Sequence, residues 1–370
     1  LVSAPGRTEI GGNHTDHNRG KVLAAAVNLD TVAAVSARDD MLVHLHSEGY
    51  PALELDLSDL TPHENEKGTT TSLIRGVAAR MSQLGYKIGG FDAVATSNVA
   101  SGSGLSSSAA FEVLTCAILD KLYNNWCIDF KLRAQIAQYA ENEFFGKPSG
   151  LMDQMASSAG GLVHIDFKND DPMVRPLTYD FAKKGYALVV VNTGGSHADL
   201  TADYAAMPIE MKQVAAFFGE DCLRRVRPEQ IIQELPRLRE KVSDRAIMRA
   251  IHFFNENKRV VKQVEALEKD DLDTFFAEII ASGRSSFMYL QNVYARSDDQ
   301  SLSLALCLAE NKLHNKGAWR IHGGGFAGTT LNFVPVTELP SFIEEMEGVF
   351  GKRKCQVLDI RPVGAAYLEL

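Results

Sequence analysis

The sequence lacks several features that define common protein classes. It has five cysteines, an odd number with no CxxC pair, which argues against a disulfide framework and favours free thiols inside the cell. No apolar run reaches the roughly 18 residues that a membrane-spanning helix needs, and the first residues show no charged-then-apolar signal peptide pattern. We therefore expect a cytoplasmic protein with no membrane partner.

Excess positive charge is also lacking. The chain has 47 acidic and 38 basic residues and a formal net charge of −9, which argues against nucleic acid as a partner. Apolar residues make up 45% and charged residues 23% of the 370 positions, a composition typical of a globular protein with more than one domain. The absence of repeats excludes solenoids and propellers.

Apolar periodicity predicts alternating strands and helices. Short apolar runs predict strands, and apolar spacings of three and four predict helices. The predicted strands cover residues 22–27, 31–35, 91–95, 162–167 and 187–191, and the predicted helices cover 73–84, the stretch from Phe111 to Leu122, and 130–145. Helical patterns dominate from residue 201 to about 313, and strands return at 320–334 and 357–370. We predict two α+β domains, residues 1–180 and 181–370.

A glycine- and serine-rich loop separates a predicted strand from a predicted helix. Its glycines allow close approach of the backbone to a ligand, and the following helix offers unpaired N–H groups and partial positive charge to an anion. A flexible turn with serine caps is the alternative, and the GxxxxGK[ST] and complete GxGxxG patterns are absent. The predicted phosphate-binding residues are Gly102, Ser103, Gly104, Leu105, Ser106, Ser107 and Ser108.

Three further segments are candidates for a site. Residues 5–18 form a polar turn interrupted by glycines, for which a solvated surface loop is the alternative. Its two histidines have no further cluster of zinc ligands nearby in the sequence, which argues against a zinc site. Asp153 lies in the apolar run 151–159, where a carboxylate is costly unless it is paired; a solvated Asp on a helix surface is the alternative. The glycine cluster 323–328 suits close backbone approach or a tight hairpin.

Together and in this order, these segments resemble the galactokinase branch of the GHMP kinase superfamily, from Ser3 to about Leu368. The resemblance rests on Gly6-Arg7 with residues 12–16, on the loop 102–110, on residues 150–154 and on residues 320–328. It implies a two-lobed α+β fold with the active site in the cleft between two domains. It also implies an ATP-dependent sugar 1-kinase, with galactose as the expected sugar and Mg²⁺ as the cofactor.

The resemblance implies roles for particular residues. Asp153 would lie beside the anomeric hydroxyl, as a general base or as an electrostatic orienter, and Arg7 would accompany it as the second catalytic residue. The implied Mg²⁺ ligands are Ser108 and Glu141, and residues 102–108 would contact the ATP phosphates. The implied sugar contacts are Asn13, His14, Asp16, Gly150 and Tyr204. The implied partners are a small-molecule sugar and ATP, and we expect a monomer or a weak homo-oligomer.

The sequence also departs from the family pattern. Galactokinases usually carry Glu where this chain has Asn13, close to the C6 hydroxyl of the sugar; Asp16 is followed by His17 rather than Tyr; and the loop lacks the usual Pro at 99–101. Because Asn13 removes a negative charge, galacturonate or another hexuronate is an alternative substrate. A non-catalytic sensor of ATP and sugar is an alternative of another class.

Overall fold

The structure is a computed structural model that describes residues 1–99, 102, 104–194, 200–326 and 328–369. Four residues of the predicted motifs, Ala100, Ser101, Ser103 and Ala327, lie outside the described residues. Within the described ranges, no helix is long and apolar enough to cross a membrane.

The chain alternates strands and helices along most of its length. The strands are β1 Val2–Gly11, β2 Lys21–Ala37, β3 Leu42–Ser47, β4 Leu53–Asp56, β5 Phe91–Ser97, β6 Leu162–Asp166, β7 Met173–Leu177, β8 Tyr186–Asn192, β9 Ala318–His322, β10 Thr329–Pro335, β11 Cys355–Leu358 and β12 Ala366–Tyr367. The α-helices are α1 Thr70–Gln83, α2 Ser107–Tyr123, α3 Phe130–Tyr139, α4 Met152–Ala159, α5 Thr201–Phe217, α6 Pro228–Gln233, α7 Leu235–Arg239, α8 Asp244–Glu268, α9 Leu272–Ser285, α10 Ser301–Leu313 and α11 Leu339–Phe350. Shorter helical segments are Asp16–Asn18, Glu64–Glu66 and Leu223–Arg225, of 3₁₀ type, and Ala140–Phe145 and Ser286–Leu290, of π type.

The described strands form two sheets. The first has the order β12-β1-β2-β5-β3-β4, with β6 joined to β2 and β7 joined to β6, and it is antiparallel except between β3 and β5. The second is the antiparallel sheet β11-β8-β10-β9. The strand β8, which is apolar throughout residues 187–191, lies inside this sheet, as its sequence predicted. Strands and helices are thus combined as the α+β prediction required.

The predicted domain boundary at residue 180 falls between β7 of the first sheet and β8 of the second. The short strand β12, close to the C-terminal end of the chain, pairs with β1 and so returns to the first sheet. The division into domains 1–180 and 181–370 stays a prediction.

One predicted strand break is wrong. Residues 22–27 and 31–35 belong to the single strand β2, because the polar residues between them find partners without ending the strand. The backbone N–H of Asn28 donates to the carbonyl of Asp359 at 3.0 Å, and the backbone N–H of Asp359 donates to Asn28 Oδ1 at 3.0 Å. Asp30 accepts a hydrogen bond from the guanidinium of Arg361. A distant C-terminal segment therefore satisfies polar groups that, in the sequence, resemble a turn.

The helices that position the candidate site begin and end near their predicted positions. Helix α2 begins directly after the glycine- and serine-rich loop. The predicted helix 130–145 is α3 followed by the π-helical turn Ala140–Phe145, which ends at Gly146 with φ of 83°. Such π-type turns inside helices are frequent at functional sites, and this one contains Glu141.

Candidate active site

An ion pair between Arg7 and Asp153 joins two distant parts of the sequence. Arg7 lies in β1 and Asp153 in the first turn of α4. The guanidinium donates from Nε to Oδ1 at 2.6 Å and from Nη2 to Oδ2 at 2.8 Å. This two-pronged geometry fixes the carboxylate in position as well as in charge. The alternative of a solvated, unpaired Asp153 is therefore wrong.

The environment of Asp153 keeps its carboxylate ionised. Burial alone would raise its pKa, but the charge of Arg7 and hydrogen bonds from Arg7 and Ser106 outweigh burial and lower the pKa to about 2. The Asp153 side chain is still 29% exposed, compared with 7% for Arg7. A ligand can thus reach a carboxylate that stays negative at neutral pH.

The glycine- and serine-rich loop is fastened to Arg7. The carbonyl of Gly104 accepts a hydrogen bond from Arg7 Nη1 at 2.6 Å, and the carbonyl of Leu105 accepts one from the Arg7 backbone N–H at 3.0 Å. Gly104 has φ of 76°, and a Cβ there would collide with the hydroxyl of Thr329. Ser106, also left-handed, donates its hydroxyl to Asp153. These bonds tie residues 104–106 to Arg7 and Asp153.

The rest of the loop leads into a helix N-terminus. Gly102 has φ of 71° and nothing within 4 Å of the position a Cβ would occupy, so it borders open space. Ser107 is the first residue of α2 and Ser108 the second. The first N–H groups of an α-helix have no partner within the helix, so this turn can offer them to an anion. The predicted contact at Ser103 lies outside the described residues.

The two predicted metal ligands lie together. The Ser108 hydroxyl is 3.2 Å from Glu141 Oε1, and the ammonium of Lys147 is 2.8 Å from the same oxygen. The other oxygen of Glu141 accepts from Gln154 Nε2 at 2.8 Å. Hydroxyl and carboxylate oxygens are the donors that Mg²⁺ prefers, completed by phosphates and water.

A second buried acid lies beside Glu141. Glu112, on α2 one turn after Ser108, is fully buried and shares the amide of Gln154 at 3.0 Å. Its Oε1 has no hydrogen-bond partner among the described residues. Burial and the charge of Glu141 raise the pKa of Glu112 well above its usual range. An unsatisfied buried oxygen here fits a site built to receive a cation or proton, although the described residues form no cluster of three or more metal-binding side chains.

The polar turn after β1 lies against residues 150 and 324–325. A Cβ on Gly150 would collide with the Asp16 carboxylate, so this position requires glycine. His14 Nε2 lies 3.1 Å from the carbonyl of Gly324, and the Tyr204 hydroxyl donates to the carbonyl of Gly325 at 2.9 Å. Burial, and next the charge of His17, lower the pKa of His14 to about 3, so it is neutral near pH 7. The predicted sugar residues are thus neighbours.

The side chain of Asn13 lies in the interior of the protein. It is fully buried, and its amide nitrogen donates to Glu9 at 3.1 Å and to the carbonyl of Gly323 at 2.8 Å. Its amide oxygen accepts from Ser286 at 3.1 Å and from Asn292 at 3.0 Å. All its hydrogen-bonding capacity is therefore used inside the protein. The alternative of a solvated surface loop is wrong for this turn.

Several charged residues around the site were not predicted. Glu9 pairs with the buried Arg320, and Glu256 of α8 accepts from the backbone N–H groups of Gly12 and Asn13 at 3.1 and 3.4 Å. Their partners are more than 240 positions away in the sequence, so no local pattern points to these contacts. The spacing of Ser108 and Glu112 by four residues on a predicted helix was a usable signal for Glu112.

Comparisons with known proteins agree with this geometry. Residues 1–37 match the galactokinase galactose-binding signature, and residues 72–161 match the GHMP kinases N terminal domain. A galactokinase of Streptomyces coelicolor is 33% identical over 353 residues, which cover 94% of this chain and 88% of that protein. A galactokinase of Glaesserella parasuis is 32% identical over 345 residues, covering 90% of this chain and 85% of that protein.

Solved structures give the same fold. The crystal structure of Lactococcus lactis galactokinase complexed with galactose superposes with a TM-score of 0.86 at 24% identity, covering 99% of this chain and 94% of that one. A mevalonate kinase superposes with a TM-score of 0.66 at 14% identity, covering 97% of this chain and 98% of that one. The fold and the loop at the start of α2 define a GHMP kinase, a phosphotransferase enzyme. Within that class, the chain belongs to the galactokinase family, which confirms the resemblance seen in the sequence.

Proposed function

We propose that the chain is an ATP-dependent sugar 1-kinase that converts galactose and ATP to galactose 1-phosphate and ADP. The observation that supports this most directly is the Arg7–Asp153 ion pair, which is bonded to the loop that precedes α2. Phosphoryl transfer needs positioning and charge neutralisation rather than covalent chemistry. A fixed carboxylate, a guanidinium and a helix N-terminus in contact with one another supply both.

Asp153 would orient the anomeric hydroxyl by accepting a hydrogen bond from it. A carboxylate with a pKa of about 2 is a weak base at neutral pH, because general bases work best when their pKa lies near the working pH. The low pKa therefore favours the orienting role over full proton abstraction. Arg7 would hold the carboxylate ionised and offset charge that develops on the reacting oxygens.

The ATP phosphates would lie at the loop and the first turn of α2. Ser108 and Glu141 would hold Mg²⁺, which neutralises phosphate charge when it is bound. Lys147, 58% exposed and bonded to Glu141 in the structure, is a further cation at this position. Its long side chain could shift from Glu141 towards a phosphate.

The sugar would lie between the turn 14–16 and the segments around Gly150 and Tyr204. Asp16 and His14 offer an acceptor and a neutral ring with hydrogen-bonding nitrogens. Because the Asn13 amide is fully engaged with protein groups, no free amide N–H remains there for a C6 carboxylate. Among the described residues, the geometry around Asn13 offers no group for a C6 carboxylate, and we propose galactose, in agreement with the match of residues 1–37 to the galactose-binding signature.

The test is a coupled assay for ADP release with galactose, galacturonate, glucuronate and N-acetylgalactosamine as separate acceptors. We expect galactose to give the highest kcat/KM. A higher kcat/KM with galacturonate would show that the C6 preference is wrong while the kinase assignment stands. No sugar-dependent ADP release in the presence of Mg²⁺ would contradict the proposed function as a whole.

A further inference from the structure

A cavity of about 770 Å³ lies in the second half of the chain, away from the candidate active site. It is bordered by α8, α9 and the segment 314–317 that precedes β9, and its lining includes none of the predicted site residues. Its apolar floor contains Phe276, Ile280 and Trp319. The volume falls in the range of roughly 300–1,000 Å³ that is typical of small-molecule sites.

Cationic side chains outnumber acidic ones among the residues that line this cavity. Arg259, Arg284 and Lys316 line it, opposed by the single carboxylate of Asp273. The pairs of Arg284 with Glu310 at 3.3 Å and of Lys316 with Glu338 at 2.8 Å are exposed, and such surface pairs are weak. Both cations therefore remain available to an anion.

Arg259 has the geometry of an anion-binding group. It is only 9% exposed, and in the described part of the chain its side chain makes one hydrogen bond, from Nε to Glu256 at 3.0 Å. Among the residues that the structure describes, its two terminal nitrogens have no protein acceptor, and neither is a fully buried atom. A buried guanidinium fork of this kind suits a carboxylate or a phosphate.

We propose that this cavity is a binding site for a small organic anion with an apolar body, in which Arg259 binds the anionic group and the floor packs against the rest. The occupant also acts on the turn that contains Gly12 and Asn13. The effect on sugar binding rests on the proposed function, whereas the binding site itself does not.

Two hydrogen-bond chains join the cavity wall to that turn. In the first, Arg259 bonds to Glu256, which accepts from the N–H groups of Gly12 and Asn13. In the second, Ser285, which lines the cavity, lies 2.9 Å from His252 Nδ1, and His252 Nε2 donates to the Asn13 carbonyl at 3.0 Å. An anion that binds Arg259 competes with Glu256 for the guanidinium. The Glu256 carboxylate then loses the contact that fixes its position, and its hydrogen bonds to the N–H groups of Gly12 and Asn13 weaken.

The first experiment measures binding of phenyl phosphate by calorimetry and by saturation-transfer NMR, with benzyl alcohol as the uncharged control. Ala281→Trp fills the cavity from an exposed position on α9, and Ser82→Trp, exposed on α1, is the matched control. We expect saturable binding near or below about 1 mM, as suits a ligand of so few atoms. Binding should weaken at least about tenfold in Ala281→Trp and Arg259→Lys, be unchanged in Ser82→Trp, and be much weaker for benzyl alcohol.

Equal binding to Ala281→Trp and the wild type would show that the anion occupies another place, such as the phosphate loop, and would overturn the site. The proposed site would also be overturned if phenyl phosphate showed no saturable binding, or if benzyl alcohol bound with equal affinity. Circular dichroism of each variant verifies that it is folded.

The second experiment measures the effect on the turn by hydrogen exchange, without use of catalysis. We expect saturating phenyl phosphate to speed amide exchange in the peptide that contains Gly12 and Asn13, in the wild type and not in Ala281→Trp. We also expect the Kd for galactose to rise at least about threefold, and reciprocity requires that galactose weaken phenyl phosphate by the same factor. Unchanged exchange with the cavity occupied would overturn the coupling. Failure of galactose to bind would instead count against the proposed function, since the exchange result does not depend on it.

Discussion

Replacement of Asp153 by Asn tests the central ion pair with the smallest change of shape. The substitution keeps the side-chain size and removes the negative charge that faces Arg7. We expect kcat to fall by about 10²–10³-fold, the usual cost of removing one preorganised electrostatic contact to the reacting group, while the Kd for ATP changes by less than about threefold. ATP binding is retained because the loop and α2 are not altered.

The lowered pKa of Asp153 also gives the expected loss of stability in Asp153→Asn. The pKa of Asp153 is lowered from 3.8 to about 2, and each unit corresponds to about 1.4 kcal/mol. Loss of this net interaction should lower the free energy of unfolding at pH 7 by about 2 kcal/mol, measured by urea denaturation. The loss should fade as pH falls from about 4 to 2, because the wild-type carboxylate then becomes protonated in both states.

The assay combines steady-state kinetics with a fluorescent ATP analogue for binding. Asp170→Asn is the matched control, because Asp170 is 91% exposed in its pair with Arg19, and it should keep wild-type kcat and stability. If Asp153→Asn keeps more than about a tenth of wild-type kcat, the role assigned to Asp153 is wrong. A large loss of ATP affinity would place Asp153 with the nucleotide instead.

Three further outcomes follow from other parts of the structure. Glu141→Gln should raise the Mg²⁺ concentration needed for half-maximal activity at least about tenfold, with little change in the KM for galactose; an unchanged Mg²⁺ requirement would remove Glu141 from the metal site. Asn13→Glu would bring a second carboxylate within about 4 Å of Glu9, at a cost on the order of 4 kcal/mol at an effective dielectric of about 20. We therefore expect urea denaturation to show a lower free energy of unfolding. A variant with wild-type stability and an altered sugar preference would contradict this expectation. His164 is buried, both its ring nitrogens are unpaired among the described residues, and its pKa is lowered from 6.5 to about 4, chiefly by burial. As pH falls from 7.5 to 5, the free energy of unfolding of His164→Leu should therefore rise by about 2 kcal/mol relative to that of the wild type. A difference between the two proteins that does not change with pH would refute this.

Local sequence patterns predicted most of the elements that surround the site. The loop 102–108 and the helix after it follow from glycine, serine and apolar spacing, which are local properties of the chain. The apolar run of β8 likewise predicted a strand inside a sheet. Asp153 was singled out because a carboxylate in an apolar run needs a partner, and the resemblance to galactokinases proposed Arg7.

Sequence reasoning missed features that distant residues decide. Asn28 and Asp30 favour a turn by composition, but Asp359 and Arg361 satisfy them and the strand continues. Asn13 was expected to contact the sugar because of its position in a motif, and this contact stays a prediction, but its burial among protein groups was not foreseen. Its burial depends on Ser286 and Asn292, nearly 280 positions away, and the sequence gives no local sign of that contact.

The most direct test of the central claim is identification of the product by ³¹P NMR. Wild-type protein with Mg²⁺, ATP and galactose should form a sugar phosphate esterified at the anomeric oxygen, in a one-to-one ratio with ADP, and Asp153→Asn should form almost none in the same time. A phosphate ester at another hydroxyl would show that Asp153 does not orient the anomeric oxygen. ADP with free phosphate and no sugar phosphate, or equal product from Asp153→Asn, would contradict the account.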